Sequence, residues 1–309
     1  MNEPLYPFRP RMPDQLARRT GVVRDQREHI PYVYSNDIVM AVNAALATRR
    51  PLLLRGAPGC GKSTLARDAA LALDREFAEK VVTSRTTATD LQWEFDAVGR
   101  LSDAAPHPDA ARDRNRYIRP GLLWNAFAPS GGSGGRGAVV LIDEIDKADP
   151  DVPNDLLVPL GEDRFTVTDT DPHTEVRRTR DVLVVITTNG ERELPPAFLR
   201  RCVALTLPDP SEDPVALALI AERHMAAMFR EDGRPVPALD GDRLVAVVKR
   251  VGELATSVAA RRPGTAEILD AFKACTRLNI VPGTPEWTTL TRVLLFKEPG
   301  NPDAPKARP

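Results

Sequence analysis

The chain has few of the residues that build metal centres or disulfide frameworks. Its 309 residues include three cysteines and four histidines, scattered without metal-ligand spacing, and distant cysteines in odd number fit a reducing compartment. The strand-like apolar runs have about five residues, far below the roughly 18 expected of a membrane span. The first ten residues, MNEPLYPFRP, lack the apolar core of a signal peptide. These absences predict a cytoplasmic protein without a zinc site or a membrane span.

An excess of charge of one sign is also missing. The formal net charge is −1, which argues against a protein whose whole surface is a nucleic-acid footprint. Positive charge is concentrated locally at Arg177, Arg178 and Arg180, beside a predicted hairpin. We interpret these arginines as a solvated hairpin flank, and a local nucleic-acid contact is the alternative.

A glycine-rich loop is the most informative motif in the chain. Residues 56–63 read GAPGCGKS directly after the apolar run PLLLR, and a strand, this G-x-x-x-x-G-K-[ST] pattern and a helix together form a phosphate-binding loop. Glycines allow backbone N–H groups to turn toward phosphate oxygens, and the start of the following helix adds its dipole. The motif predicts binding of ATP or GTP through Gly56, Ala57, Pro58, Gly59, Cys60, Gly61, Lys62, Ser63 and Thr64.

A second apolar run ends in adjacent carboxylates. Residues 138–146 read AVVLIDEID, which is typical of a central strand covered on both faces. Asp143 is suited to hold Mg²⁺ through its water shell, with Ser63 offering a hydroxyl, and Glu144 to polarise the water that attacks the γ-phosphate. An acidic first turn of a helix is the alternative interpretation.

A third apolar run, at 182–186, ends in the polar residues TTN. A side chain at the tip of such a strand can reach the γ-phosphate, so Asn189 is a candidate sensor of nucleotide state, and its Asn-Gly dipeptide equally fits a turn. Arg200 and Arg201 follow at the end of a short predicted helix. They fit either partners of the helix dipole or an arginine finger that acts on a neighbouring subunit.

The order of GAPGCGKS, VVLIDEID, TTN and FLRRC resembles an AAA+ ATPase. Further segments resemble the MoxR-like branch of that family, namely Asp37–Thr48, Thr83–Asp96, Tyr117–Leu122 and Leu156–Thr168. The resemblance implies an α/β P-loop NTPase core with a five-stranded parallel sheet of order 5-1-4-3-2, flanked by helices and followed by a helical lid. With the punctuation by proline and the helical periodicity, it predicts an N-terminal arm at 1–35, the core at 36–207, the lid at 208–296 and a flexible tail at 297–309. The residue pattern further predicts an exposed excursion at Ser102–Arg116 and helices at Thr64–Leu73, Val215–Phe229, Gly241–Thr256 and Thr265–Leu278.

The resemblance also assigns roles to individual residues. They are Lys62 and Ser63 for phosphate and Mg²⁺, Asp143 and Glu144 for Mg²⁺ and water, Asn189 for sensor 1, Arg201 for the finger with Arg200 as the alternative, and Tyr32–Tyr34 for covering the adenine. The sensor 2 position departs from the family pattern, because Gly264 or Ala266 stands where MoxR-like chains place an arginine. Arg261 or Arg262, just before the helix, is the remaining candidate.

The MoxR-like resemblance implies a function as well as a fold. It implies hydrolysis of ATP with Mg²⁺ in a homo-oligomeric, hexameric ring, whose motion remodels or activates a partner, either a protein with a von Willebrand factor A domain or a client enzyme. A nucleic-acid motor or an ATPase subunit of a defence or restriction complex is one alternative, and a nucleotide-switched scaffold is another. Glu144 argues against the scaffold, because a pure switch does not need a carboxylate that activates water.

Overall fold

The computed structural model describes Phe8 and residues 32–129, 136–213, 216–222, 224, 264–278, 280, 284–291 and 293–294. The chain divides into two compact units: the first contains Tyr34–Gly56 and Gly61–Leu207, and the second contains Ala57–Cys60 and the chain from Pro208 onward. The helix predicted over 241–256, the predicted tail and most of the predicted arm lie outside the described residues.

Strands and short helices alternate through the first unit. The described strands are β1 (Leu52–Arg55), β2 (Glu76–Val81), β3 (Trp93–Phe95), β4 (Ile118–Pro120), β5 (Ala138–Asp143), β6 (Arg164–Val167), β7 (Thr174–Arg177), β8 (Val182–Thr188) and β9 (Val203–Thr206). The described α-helices are α1 (Asn36–Thr48), α2 (Lys62–Leu73), α3 (Ala88–Gln92), α4 (Ala97–Asp103), α5 (Pro108–Arg112), α6 (Leu122–Phe127), α7 (Val152–Asp155), α8 (Leu157–Gly161), α9 (Pro196–Leu199), α10 (Thr265–Leu278) and α11 (Pro285–Thr291). Single 3-10 turns lie at Arg114–Tyr117, Ile145–Lys147 and Pro210–Glu212.

Five of the strands form one parallel sheet, in the spatial order β2–β5–β8–β1–β9. When these five are numbered by their own order along the chain, the sheet reads 5-1-4-3-2 from the β9 edge, so the predicted fold is confirmed. Every residue of β8 is buried, and β5 is buried up to its last residue. The carboxyl ends of parallel strands share one edge of the sheet, and the polar residues after β1, β5 and β8 therefore meet there.

Ser35, directly before α1, and Asn43, within it, both hydrogen-bond to backbone groups of the first unit. Ser35 caps the helix by accepting a hydrogen bond from the backbone N–H of Ile38 at 3.3 Å. Asn43 binds both backbone groups of Phe8, because its Oδ1 accepts from the Phe8 N–H at 2.9 Å and its Nδ2 donates to the Phe8 carbonyl at 3.0 Å. The Phe8 side chain is fully buried, so one residue of the predicted arm packs against the core.

Two antiparallel pairs interrupt the alternation of strands and helices. The pair β3–β4 encloses α4, α5 and a 3-10 turn, and most residues of the predicted excursion at 102–116 are exposed there. The pair β6–β7 forms the hairpin that was predicted before the TTN strand. Both pairs lie in connections between strands of the five-stranded sheet. The five-stranded sheet positions the site.

An aromatic cluster joins these two pairs. The rings of Trp93 and Phe165 stack with centroids 6.0 Å apart, and Trp124 and Phe127 approach the same phenylalanine at 6.5 and 6.1 Å. Such ring pairs contribute about 0.5–1.5 kcal/mol beyond the area they bury. The Trp93 indole N–H also donates to Asp169 Oδ2 at 2.9 Å. The cluster therefore ties β3 to the hairpin by packing and by a hydrogen bond.

The second unit has its own small core. Apolar residues of a helical stretch at 216–222 are buried with residues of α10 and α11, for instance Leu217, Ala221, Ile268 and Trp287. The helix predicted over Thr265–Leu278 coincides with α10. In the part of the chain that the structure describes, no helix has the length and apolar character needed to cross a membrane.

Candidate active site

The glycine-rich loop connects the end of β1 to the start of α2 in a conformation that needs glycine. Gly59 and Gly61 have φ angles of 83° and 96°, a region that residues with a Cβ rarely adopt. Gly61 is the residue that precedes α2, and Lys62 and Ser63 are the first two residues of the helix. The predicted helix therefore begins two residues earlier than Thr64, and both functional side chains lie in its first turn.

Lys62 reaches from α2 across the end of the sheet. Its ammonium group donates to the Gly56 carbonyl and to Asn189 Oδ1, each at 2.8 Å. The residue is 6% exposed, and a buried charge of this kind is stable only when hydrogen-bonded. The loop lysine and the residue after β8 are therefore in direct contact.

Ser63 and Asp143 also meet at this edge. The Ser63 hydroxyl lies 3.0 and 2.9 Å from the two carboxylate oxygens of Asp143. The Thr187 hydroxyl, at the end of β8, donates to Asp143 Oδ1. Asp143 is the last residue of β5, so the alternative of an acidic first helical turn does not describe it.

Glu144 follows in an uncommon backbone conformation. Its φ and ψ are 60° and 50°, a left-handed geometry that costs a residue with a Cβ roughly 1 kcal/mol or more. The Glu144 N–H donates to Thr187 Oγ1 at 2.9 Å, which helps to hold this turn. The carboxylate accepts from Asn189 Nδ2 at 3.1 Å and from Lys147 Nζ at 2.7 Å. The hydrogen bond to Glu144 raises the pKa of Lys147 above its usual value.

Asn189 is the centre of the cluster. Its side-chain oxygen accepts from Lys62 and its side-chain nitrogen donates to Glu144, so one amide connects the phosphate-binding loop with the acidic strand end. Gly190 follows with a φ of 78°, and Asn189 therefore also lies in a turn, as its Asn-Gly dipeptide allows. The structure brings together five of the predicted residues, which are Lys62, Ser63, Asp143, Glu144 and Asn189.

Three residues of this cluster had no role in the sequence interpretation. Thr187 contacts both acidic residues, Lys147 pairs with Glu144, and the buried carboxylate of Asp146 accepts from the backbone N–H of Asn189 at 3.1 Å. Asp146 and Lys147 lie two and three residues after Glu144, and Thr187 precedes Asn189 in the polar run. In the sequence, only their position close to the motifs could have indicated a role. The residues that Thr187 and Asp146 contact lie more than 40 positions away along the chain.

The arginines at the end of α9 lie outside this cluster. Arg200 and Arg201 are exposed, and in the described part of the chain neither side chain hydrogen-bonds to a cluster residue. The guanidinium of Arg50 donates to both of their backbone carbonyls, at 3.0 Å for Arg201. The Arg201 side chain itself donates to the Ala197 carbonyl at 3.4 Å. Arg50 thus holds the backbone of the turn that contains Arg200 and Arg201.

The hairpin arginines do not form the solvated flank that the sequence predicts. The Arg178 side chain is 7% exposed and pairs with Asp163 at 2.9 Å, and the Arg180 side chain is 9% exposed and pairs with Glu76 at 2.6 Å. Both also donate to backbone carbonyls. The prediction is correct only for Arg177, whose side chain is 65% exposed. It is wrong for the other two because the loop after β7 turns inward to hydrogen-bond α6, and there both guanidinium groups are buried against carboxylates and backbone carbonyls.

The structure describes only part of the predicted sensor 2 segment. Arg261 and Arg262 lie outside the described residues, whereas α10 begins directly after Gly264. Within the second unit, a Cβ at Gly264 would lie 3.4 Å from the Pro58 carbonyl oxygen, and a Cβ at Gly59 would lie 3.6 Å from the Ala266 Cβ. The start of α10 therefore packs against the loop with small residues where the family pattern has an arginine.

Tyr34 makes contacts of its own within the first unit. Its hydroxyl donates to Asp68 Oδ2 on α2, and its ring centroid lies 5.3 Å from that of Phe8. The placement of Tyr32–Tyr34 over an adenine stays a prediction. In the described residues, no group of three or more histidine, cysteine, aspartate or glutamate side chains is arranged to hold a metal ion by itself.

Comparisons with known proteins agree with this geometry. Residues 51–202 match the profile of the AAA domain (dynein-related subfamily). The chain is also 31% identical over 184 residues to a Lon protease of Halothermothrix orenii, which covers 56% of this chain and 20% of that protein. The chain thus spans about a fifth of the length of this curated relative. Residues 51–202 therefore form an AAA+ ATPase domain, which supports ATP-hydrolysing activity.

Proposed function

We propose that the chain is a MoxR-like AAA+ ATPase that hydrolyses ATP with Mg²⁺ and uses the resulting motion to remodel or activate a partner protein. The observation that carries the proposal is the bridge made by Asn189, which joins the loop lysine Lys62 to the carboxylate of Glu144. Phosphoryl transfer to water uses a lysine on the phosphates and a residue that positions the attacking water, and here Asn189 connects the candidates for these two roles at the end of a parallel sheet.

The residues present fit a nucleotide and a magnesium ion. The loop glycines with positive φ leave their backbone N–H groups unobstructed for phosphate oxygens. Ser63 and Asp143 present hard oxygen donors 2.9 Å apart, and Mg²⁺ binds to one or two such protein groups while it keeps waters and phosphate oxygens as further ligands. When bound, Mg²⁺ would neutralise negative charge on the phosphates.

Five side chains of the cluster then have a task in the proposed reaction. Lys62 would hold phosphate oxygens by its positive charge, and Ser63 and Asp143 would hold the metal ion. Glu144 orients the attacking water and accepts its proton at the carboxylate. Asn189 positions Glu144 relative to Lys62, which is the work expected of a sensor 1 residue. Removing a positioned acid–base group lowers turnover by about 10²- to 10⁴-fold.

An arginine from a second copy of the chain would complete the site. Arg201 is the proposed finger and Arg200 the alternative, because both are exposed at the end of α9 and neither joins the cluster of its own subunit. A finger supplied in trans contributes about 10³-fold or more to turnover. The chain would therefore act as a closed ring, of six copies by analogy with the MoxR-like pattern.

We also propose the division into domains that the sequence indicates, with the core at 36–207 and a helical lid at 208–296. In this scheme the lid responds to nucleotide without a sensor 2 arginine inside α10. Arg261 or Arg262 would serve instead from the residues before the helix.

The partner is proposed to be a protein, either one with a von Willebrand factor A domain or a client enzyme. The Lon relative is named as a protease, and a protease acts on protein. The structure removes the main local support for a nucleic-acid motor, because Arg178 and Arg180 are buried in ion pairs. The exposed Arg177, which pairs with Glu175, is a small remainder of that cluster.

The catalytic assignment is tested with Glu144→Gln. This variant keeps the loop and the metal ligands, so we expect ATP binding to be retained, turnover to fall by about 10²- to 10⁴-fold and rings to accumulate. Glu191→Gln is the matched control, because Glu191 is exposed and its backbone N–H, which hydrogen-bonds to the cluster, is retained by glutamine. Wild-type turnover in Glu144→Gln would remove the assignment.

The partner is tested by capture with the same slow variant. Tagged Glu144→Gln is isolated from its native cells with ATP and Mg²⁺, with and without nuclease, and the accompanying chains are identified by mass spectrometry. Recovery of a von Willebrand factor A protein or an enzyme, unchanged by nuclease, supports remodelling of a protein. Recovery that is lost after nuclease treatment supports the nucleic-acid motor instead.

A further inference from the structure

Asp146 is a buried carboxylate that the proposed mechanism does not use. It lies in the 3-10 turn Ile145–Lys147, two residues after Glu144, and it is 3% exposed. Aspartate is almost never this deeply buried unless its oxygens are hydrogen-bonded. The partners of this carboxylate therefore explain why it is there.

Those partners are backbone groups of the loop after β8. Asp146 Oδ2 accepts from the N–H of Asn189 at 3.1 Å and from the N–H of Glu191 at 3.0 Å. The two donors flank Gly190, whose φ of 78° turns the chain between them. Hydrogen bonds to an ionised acceptor are roughly twice as strong as neutral ones, so a single oxygen fixes the direction of this turn.

The same carboxylate carries an unfavourable feature. Its second oxygen, Oδ1, is buried and has no hydrogen-bond partner among the residues that the structure describes. A buried acceptor without a partner costs about 1–3 kcal/mol, and more when it is charged. A residue selected only for packing would avoid that cost, which points to a benefit that lies in the position of the loop.

We propose that Asp146 is a positioning residue for hydrolysis: it fixes the backbone of Asn189 and Glu191 so that the Asn189 amide bridges Lys62 and Glu144. This inference rests on the proposed ATPase function. The amide must place its oxygen 2.8 Å from Lys62 Nζ and its nitrogen 3.1 Å from Glu144 Oε1 at the same time. A side chain with two such constraints has little freedom, and it depends on where its own backbone is held.

The expected effect is on turnover more than on nucleotide binding. A displacement of about 1 Å at a reacting group can lower turnover by about 10²-fold, and we expect this loss in Asp146→Ala. Asp146→Asn keeps an oxygen that can accept both N–H groups but loses the charge, so a smaller loss of about tenfold is expected. The control is Asp149→Asn, because Asp149 is an exposed acid three residues further on whose bond to the Asp151 N–H is retained by asparagine.

The first measurement separates positioning from loss of structure. Turnover and KM are measured for the full-length variants, together with the affinity and stoichiometry for a fluorescent ATP analogue and the melting temperature. A fall in turnover at full binding stoichiometry, partly restored by Asp146→Asn, supports the proposal. It is overturned if turnover in Asp146→Ala stays within twofold of wild type, or if it falls only in proportion to the folded, nucleotide-binding fraction.

A double-mutant cycle with Asn189→Ala shows whether Asp146 acts through Asn189. If it does, Asp146→Asn lowers turnover in the wild-type background but adds almost nothing when Asn189 is already alanine. If the two losses multiply, Asp146 acts by another route and the proposal is wrong. The asparagine variant is used here because it is expected to keep the fold.

Hydrogen exchange of the two amides tests the anchor without any enzymatic activity. The N–H groups of Asn189 and Glu191 should exchange faster in Asp146→Asn and Asp146→Ala than in wild type, whereas those of the buried strand β8 should not change. Equal exchange in all three proteins overturns the anchor. If wild type hydrolyses no ATP while the anchor effect is observed, the proposed function fails and the structural part of this inference holds.

Discussion

The two arginine-rich segments of the first unit are similar in sequence but differ in what their guanidinium groups contact. Arg178 and Arg180, after β7, are buried and bind carboxylates and backbone carbonyls. Arg200 and Arg201, after α9, are exposed, and there the backbone carbonyls are bound by Arg50 instead. The first pair stabilises the chain through buried contacts, and the second pair stays at the surface, where we propose that it acts on a second subunit. The variants below test this difference.

The largest effect is expected for Arg201→Ala. As the proposed finger, Arg201 acts only across a subunit boundary, so turnover should fall by about 10³-fold while the melting temperature stays unchanged. Mixing this variant with Lys62→Ala subunits should restore part of the activity, because some sites then combine an intact loop with an intact finger. If every mixture stays inactive while exchange of subunits is demonstrated, Arg201 is not the finger, and Arg200→Ala is tested in the same way.

The next effect concerns stability. Arg178→Ala removes a donor from the partly buried Asp163 carboxylate and from the Val182 carbonyl, and the loss of hydrogen bonds that involve a charged group costs about 1.5–3 kcal/mol. The midpoint of unfolding in urea should therefore move to a lower concentration. The comparison between the two segments fails if Arg178→Ala is as stable as wild type.

A smaller effect is expected for Arg50→Ala. Its loss frees the carbonyls of Arg200 and Arg201, so the finger is held less firmly and turnover should fall by about tenfold. Stability should change little, because Arg50 is exposed. Arg49→Gln, at the neighbouring exposed arginine, serves as the control for loss of charge. Equal turnover in the two variants would show that Arg50 does not support the finger.

The smallest effect is expected for Arg177→Ala. Its side chain is 65% exposed and pairs with Glu175 at 2.7 Å, and exposed ion pairs contribute little to stability. Neither the urea midpoint nor turnover should change measurably. If Arg177→Ala instead binds nucleic acid more weakly and loses ATP turnover in the presence of nucleic acid, the nucleic-acid motor becomes the favoured function.

The sequence predicted the parts of the fold whose signals are local. The central strands β5 and β8 are buried along their apolar runs, and the loop at 56–63 carries a motif whose residue types indicate phosphate binding. The edge strand β2 has the sequence EFAEKV and is largely exposed, so neither an apolar run nor strict alternation marked it. Its place in the sheet came from the family resemblance alone.

The same limit applied to the site: local motifs predicted its main residues but not its contacts between distant segments. Motifs indicated that Lys62, Asp143 and Asn189 should meet, because the ends of parallel strands share an edge. They did not indicate the inward turn that buries Arg178, nor the contact between Asp146 and a loop 43 positions away. Those features depend on pairings between distant segments, which one sequence does not encode in any local pattern.

The aromatic cluster gives the protein an optical reporter. The protein has three tryptophans. Trp93 and Trp124 lie against Phe165 of the hairpin, and Trp287 is buried in the second unit. Replacing Trp287 by phenylalanine would leave an emission that reports on the packing of β3 against the hairpin. Any event that pulls these two connections apart would then be visible as a shift in wavelength, without a label.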